Sequence, residues 1–166
     1  MTSRPSSNLP QKFAGSAAKV CAPAGWVQVD PENIPGIPVS AAEGYVDLVC
    51  AEQPDAPRFA ENCVITVAEL AGGSSAEDWF RDSTTQLMSS IPGFQLIDMT
   101  EWDPAGHGLL RAGVYIQDAV SVTALQWTWV SKTSRRGFTA TFSCPTRSCA
   151  AAVERFLAMI TTLEEI

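Results

Sequence analysis

The stretch that decides the fold is Val120-Ser121-Val122-Thr123-Ala124-Leu125-Gln126-Trp127-Thr128-Trp129-Val130. It is rich in β-branched and aromatic residues, and Leu125, Trp127 and Trp129 fall on one side of a period-two alternation. That pattern predicts a long strand with one apolar face. Ser131 to Gly137 follows as a polar, basic hairpin tip. Phe138 to Cys144 then returns, with Phe138, Ala140 and Phe142 on one side. Upstream, Asp118-Ala119 reads as a tight reversal preceded by a strand from Leu109 to Gln117. The turn-rich run Asp103-Pro104-Ala105-Gly106-His107-Gly108 separates this strand from one over Phe94 to Trp102. Residues 94–144 therefore predict an antiparallel meander.

Outward from the meander, two helices are predicted. Ser74 or Ser75 caps the first, and Glu77 and Asp78 occupy its first turn, where carboxylates complement the macrodipole. Trp79, Phe80, Leu87, Met88 and Ile91 form its apolar stripe, and Pro92-Gly93 stops it. The second follows Pro145, is capped by Thr146 or Ser148, and carries Val153, Phe156, Leu157, Ile160 and Leu163 on one stripe. Toward the N-terminus, the chain from Phe13 reads as a strand, a turn at Ala22-Pro23-Ala24-Gly25 and a strand over Trp26–Val29, and further strands are predicted over Tyr45–Cys50 and Cys63–Leu70. A proline-rich irregular loop over 30–43 and a second loop over 51–62 separate them. Residues 1–12 read as a flexible tail and 13–166 as a single domain. Strands, helix, strands, helix, with hairpin connections, predict an α+β fold: an antiparallel β-sheet meander flanked by two main helices.

Composition narrows the function classes. The chain has 166 residues, a length typical of one domain. Acids outnumber bases 18 to 11, for a formal net charge of −7, which disfavours nucleic acid and anionic membrane surfaces. No run approaches the ~20 apolar residues of a membrane span. No signal-peptide apolar region and no lipobox is present in the sequence as given, so a cytoplasmic location is expected, or the cell envelope if a leader has been removed. Five cysteines, Cys21, Cys50, Cys63, Cys144 and Cys149, include no Cys-x-x-Cys pair, and no zinc site is expected. Cys144 and Cys149 flank Pro145 and could bridge in an oxidising compartment; small buried hydrophobes are the alternative.

Catalytic patterns are weak. His107 is the one histidine, and it sits between two glycines in a turn. A Cys-His dyad would need Cys144 or Cys149 to meet it in space. Gly72-Gly73-Ser74-Ser75 opens a helix but is followed by no Walker lysine, and ordinary capping explains it. No catalytic residue, metal ligand or cofactor is assigned. The candidate surface is instead Trp102, Trp127 and Trp129, with the basic tip Lys132, Arg135 and Arg136. Tryptophan offers contact area and a polar N–H, which suits an interface or apolar groove; burial in the core is the alternative.

Pro23-Ala24-Gly25-Trp26 after a first strand, Glu61-Asn62 before a β-branched strand, and a helix ending at Ile91-Pro92-Gly93-Phe94 carry a resemblance. With the meander and closing helix, the order resembles the LpqN/LpqT family of actinobacterial proteins and the PsbP-like fold shared with Mog and DcrB. The resemblance spans roughly residues 13–163. It implies a sheet sandwiched by helices and a binding or adaptor role without enzymatic activity, and it supplies no catalytic residues. Most LpqN-type proteins are envelope lipoproteins, a pattern from which this sequence departs. The expected function is thus a non-catalytic protein that engages another protein or an apolar ligand through a sheet face or groove. A homodimer through exposed sheet edges is a further possibility. The alternative is a small Cys/His-dependent hydrolase or transferase.

Overall fold

The segment at 120–130 is an interior strand of a seven-stranded antiparallel sheet, paired on both sides. The computed structural model describes residues 8–31, 44–53, 55, 57–102 and 108–166. In chain order the strands are β1 Gln11–Ala14, β2 Ala18–Ala22, β3 Trp26–Val29, β4 Tyr45–Glu52 and β5 Asn62–Glu69, followed by helix α1, Ala76–Ser90. Then come β6 Gln95–Trp102, β7 Gly108–Gln117, β8 Val120–Val130, β9 Arg136–Pro145, helix α2 Cys149–Ile160 and β10 Glu164–Glu165. The large sheet runs β3-β4-β5-β9-β8-β7-β6, and a small sheet runs β1-β2-β10. The α+β antiparallel architecture is the one the sequence predicts.

The meander turns as expected. β7 and β8 are joined through Asp118 (φ 49) and Ala119 (φ 63), a two-residue reversal with both residues left-handed. The small sheet and the pairing of β5 with β9 are not in the sequence reading. That pairing runs from Asn62↔Ser143 to Glu69↔Arg136 and sews the N-terminal strands onto the meander. β1 begins at Gln11, two residues before the expected start of ordered structure at Phe13.

α2 and the small sheet cover one face of the large sheet. Trp127, Trp129, Phe138 and Phe142 point there and meet Phe156 and Met159 of α2. Phe142 and Phe156 lie 5.0 Å apart by ring centroid, and Trp127 meets Phe142 edge-on at 5.4 Å. Each such side chain contributes about 1.5–3 kcal/mol by leaving water. The helix is shorter than its stripe suggests: it ends at Ile160, so Leu163 lies beyond it, partly buried against the core, while Leu157 is exposed. Neither proposed cap bonds the α2 N-terminus. Ser148 stands at the N-cap without a capping bond, and Thr146 is taken by Ser121 and Thr123.

α1 covers part of the opposite face. Ser75 caps it in a reciprocal box with Asp78, as its sequence predicts. Its buried positions are Trp79, Ser83 and Leu87, each four residues apart. Met88 belongs to the expected stripe but is 50% exposed, because the buried face is centred on the 79-83-87 row. Trp79 rests on Gly137, where an added Cβ would approach the indole to 2.4 Å. Leu87 packs with Phe94 and Ala124 at the other end of the helix.

Candidate ligand cavity

Every strand of the meander has two registers, and the second one builds the site. Between Phe138, Ala140 and Phe142 on β9 lie Thr139, Thr141 and Ser143. Between Leu125, Trp127 and Trp129 on β8 lie Gln126 and Thr128. These polar side chains face α1, opposite the aromatic core. A cavity of about 380 Å³ opens there, between the sheet and the C-terminal half of α1. That is within the size range of small-molecule pockets.

One row of directly opposed residues crosses the cavity floor. Strand register joins Val29 to Val49, Val49 to Val64, Val64 to Thr141, Thr141 to Gln126 and Gln126 to Arg111. All six line the cavity. With strands ~4.8 Å apart, five steps span roughly 24 Å. Within this row the β3-β4-β5 residues are apolar and the β9-β8-β7 residues polar, while Asn62 and Thr66 of β5 also line the cavity. Leu87, Ile91 and Phe94 add apolar wall at the helix end. Phe94 lies so close over Gly113 that a Cβ would meet its ring at 2.1 Å, so glycine alone lets the ring seat there.

The polar half is well organised. Arg111 is 1% exposed. Its Nη1 donates to Ser83 Oγ at 3.0 Å and Thr84 Oγ1 at 2.7 Å. Both hydroxyls donate in turn to the Phe80 carbonyl, which leaves their lone pairs for the guanidinium. Gln126 Nε2 donates to Thr141 Oγ1 at 2.9 Å, while its Oε1 is buried without a hydrogen-bond partner. Thr66 Oγ1, also on the cavity wall, is likewise buried without one. Burial pushes the Tyr115 phenol up, against the opposing effect of a Ser143 hydrogen bond, so it stays neutral near pH 7. Among the described residues that line the cavity, none is acidic.

The residues singled out from sequence lie elsewhere. Trp127 and Trp129 are buried in the α2-side core, and Trp102 packs against both, with centroids 6.5 and 6.2 Å away. Trp129 Nε1 donates to Glu165. The tryptophan stripe is thus core. At the hairpin tip, Lys132 and Arg135 are exposed, and Arg136 is half-buried with its guanidinium 5.4 Å from the Phe138 ring centroid. Arg111, Gln126, Thr141 and Thr66 were not singled out. The signal available for two of them, Gln126 and Thr141, is polar alternation on aromatic-rich strands: a strand polar on one side and aromatic on the other, yet buried on both.

The five cysteines are free thiols. Cys50 and Cys63 face each other across β4 and β5, both buried. Burial, reinforced by Cys50, pushes the Cys63 thiol well up. Burial, with Cys149 adding to it, pushes Cys144 up to about 12. Thiols so shifted are protonated at neutral pH and are poor nucleophiles. His107 lies outside the described residues. Among the described residues, no cluster of three or more His, Cys, Asp or Glu is placed to hold a metal ion, and no helix is long and apolar enough to cross a membrane.

The fold is that of PsbP-like and Mog proteins. LpqN of Mycobacterium tuberculosis, involved in cell envelope biogenesis, is similar over 93% of this chain and 90% of its own, with TM-score 0.63 and 17% identity. The cyanobacterial PsbP (CyanoP) of Synechocystis sp. PCC 6803 matches 94% of this chain and 92% of its own, with TM-score 0.63 and 17% identity. The Ran-binding protein Mog1p of Saccharomyces cerevisiae matches 93% and 94%, with TM-score 0.60 and 11% identity. No protein-family model matches the chain, and no curated protein matches it in sequence.

Proposed function

We propose that this chain is a non-catalytic binding protein that receives an apolar ligand in the cavity between α1 and the large sheet. The carrying observation is the floor Val29-Val49-Val64, flanked by Leu87 and Phe94, beside a polar end that can orient what enters. Pockets that are mostly apolar with a few placed polar groups are the usual form of a small-molecule site. Burial keeps the Cys63 and Cys144 thiols protonated, which supports a binding role over a Cys144-based Cys/His alternative. LpqN acts in cell envelope biogenesis and Mog1p binds Ran; a binding role for this chain fits beside both. Titration with the neutral fluorophore N-phenyl-1-naphthylamine tests the reading. Saturable, one-to-one enhancement that is lost in a folded Val64→Trp variant supports it. Enhancement that V64W leaves unchanged overturns it.

A second surface serves self-association. β6 is an edge strand of the large sheet and leaves Ile97, 65% exposed, and Met99 beside its open backbone edge. A homodimer would pair two such edges. Sedimentation of wild type against Met99→Lys distinguishes it: a dimer in wild type that M99K dissociates is expected, and a monomer at all concentrations removes it. For a protein partner, the exposed Lys132 and Arg135 with Arg136 are the contact surface we propose.

A further inference from the structure

Two of the five thiols are placed to be joined. We propose that Cys50 and Cys63 form a cross-strand disulfide when the chain folds in the presence of a low-molecular-weight disulfide, and that this bond clamps β4 to β5 behind the cavity floor.

Strand register carries the assignment. Cys50 of β4 stands directly opposite Cys63 of β5 in an antiparallel pair. Directly opposed residues share one face of the sheet, with Cα atoms about 4.5–5.5 Å apart. Disulfides bridge Cα separations of about 4.4–6.8 Å, so the two strands already stand at bonding distance. The two thiols share a hydrogen bond, which brings the sulfurs into contact. Both side chains point into the α2-side core and are fully buried. Cys21 lies apart on β2 of the small sheet, and Cys144 and Cys149 are separated by the turn through Pro145. Cys50 and Cys63 are the cysteine pair that a strand ladder sets face to face among the described residues.

The next register pair gives the bond its consequence. Val49 and Val64 are opposed one step along the same two strands and face the other way, onto the cavity. A Cys50–Cys63 bond holds the spacing of these two floor residues from the back of the sheet. It also closes a loop of about 12 residues, which restricts the unfolded chain and stabilises the folded one.

The chemistry is thiol–disulfide exchange. In the unfolded chain one cysteine thiolate attacks the reagent's S–S bond and releases its first thiol. The second cysteine then displaces the other half of the mixed disulfide and closes the Cys50–Cys63 bond. Two electrons pass to the reagent, and the two cysteine protons end on its two released thiols. Once the chain has folded, neither sulfur reaches solvent, so the bond is made during folding and is afterwards shielded from reductant.

Refolding the full chain from denaturant in a buffer of reduced and oxidised glutathione tests this, with tandem mass spectrometry of the unreduced protease digest. A Cys50–Cys63 cross-link is expected in most molecules, and Cys50→Ala should leave Cys63 as a free thiol. Because that change also opens the core, the double variant Cys144→Ala with Cys149→Ala provides a second reading. It keeps Cys21, Cys50 and Cys63. After oxidative refolding and denaturation without reductant, Cys21 alone should react with Ellman's reagent. Three reactive thiols in that variant, or Cys50 and Cys63 recovered reduced or joined to other cysteines in the wild type, overturns the proposal.

Discussion

Arg155 lays its guanidinium along the Glu61 carboxylate, with Nε donating to Oε2 at 3.1 Å and Nη2 donating to Oε1. The pair ties α2 to the entrance of β5, and Glu61 is buried while Arg155 reaches the surface. Arg155→Ala leaves a buried carboxylate without its cation. The expected loss is about 2–3 kcal/mol, less than for a fully buried pair because water reaches one side. Thermal unfolding should show it as a fall of roughly 5–10 °C. The double variant Glu61→Leu with Arg155→Met should recover most of that loss.

Asp47 organises the turn between β1 and β2. Its carboxylate accepts the backbone N–H groups of Ser16, Ala17 and Ala18 and the Ser16 hydroxyl. It sits where the β4–β5 register shifts between Val46 and Leu48, a bulge that re-aims its side chain. Asp47→Ala orphans the amides of the buried Ala17 and Ala18 and should cost about 2–3 kcal/mol. Hydrogen exchange should quicken first at residues 16–18.

The β7–β8 reversal holds a correctable strain. Ala119 adopts φ 63, a conformation that favours glycine. Ala119→Gly is expected to stabilise the protein by about 0.5–1 kcal/mol despite glycine's greater unfolded freedom. Chemical denaturation reads it as a higher midpoint at unchanged slope; a lower midpoint contradicts the turn assignment.

Acid should weaken the β4–β5 connection. Burial pushes the Glu52 carboxyl up, but hydrogen bonds from Arg58 and the Glu61 N–H, with the charges of Arg58 and Arg155, outweigh it and hold Glu52 below its ordinary 4.5. Asp78 is held below its ordinary 3.8, first by the Ser75 hydroxyl and then by Arg81. A carboxyl lowered in the folded state stabilises above its unfolded value, and that contribution fades as pH falls through the folded one. Unfolding midpoints should therefore drop between about pH 5 and pH 3. Glu52→Gln should flatten part of that fall.

Cys50, Cys63 and Cys144 should resist Ellman's reagent at neutral pH until the chain unfolds, since all three are buried. Half-buried Cys21 and Cys149 should react sooner. Fast labelling of Cys144 in the folded protein would contradict its raised proton affinity and reopen the thiol-enzyme reading.

Local signals were legible where chemistry is local. Ser75 with Asp78, Pro92-Gly93 and Asp118-Ala119 mark their own ends and turns, because caps and reversals are settled within a few residues. The second helix was read too long, since Leu163 packs on the core from beyond the helix and mimics a helical position. The tryptophans were conspicuous as residue types, but a type does not say whether α2 lies over it.

By itself, the sequence determined the antiparallel meander, the two helices and the α+β class, because side-chain alternation and helical periodicity are properties of contiguous residues. Only the tertiary structure decided that β5 pairs with β9, that β10 closes a second sheet on β2, and that Arg111, Gln126 and Thr141 stand in one row with Val64. Register between distant strands is set by which faces are buried together, and that is a property of the whole folded chain.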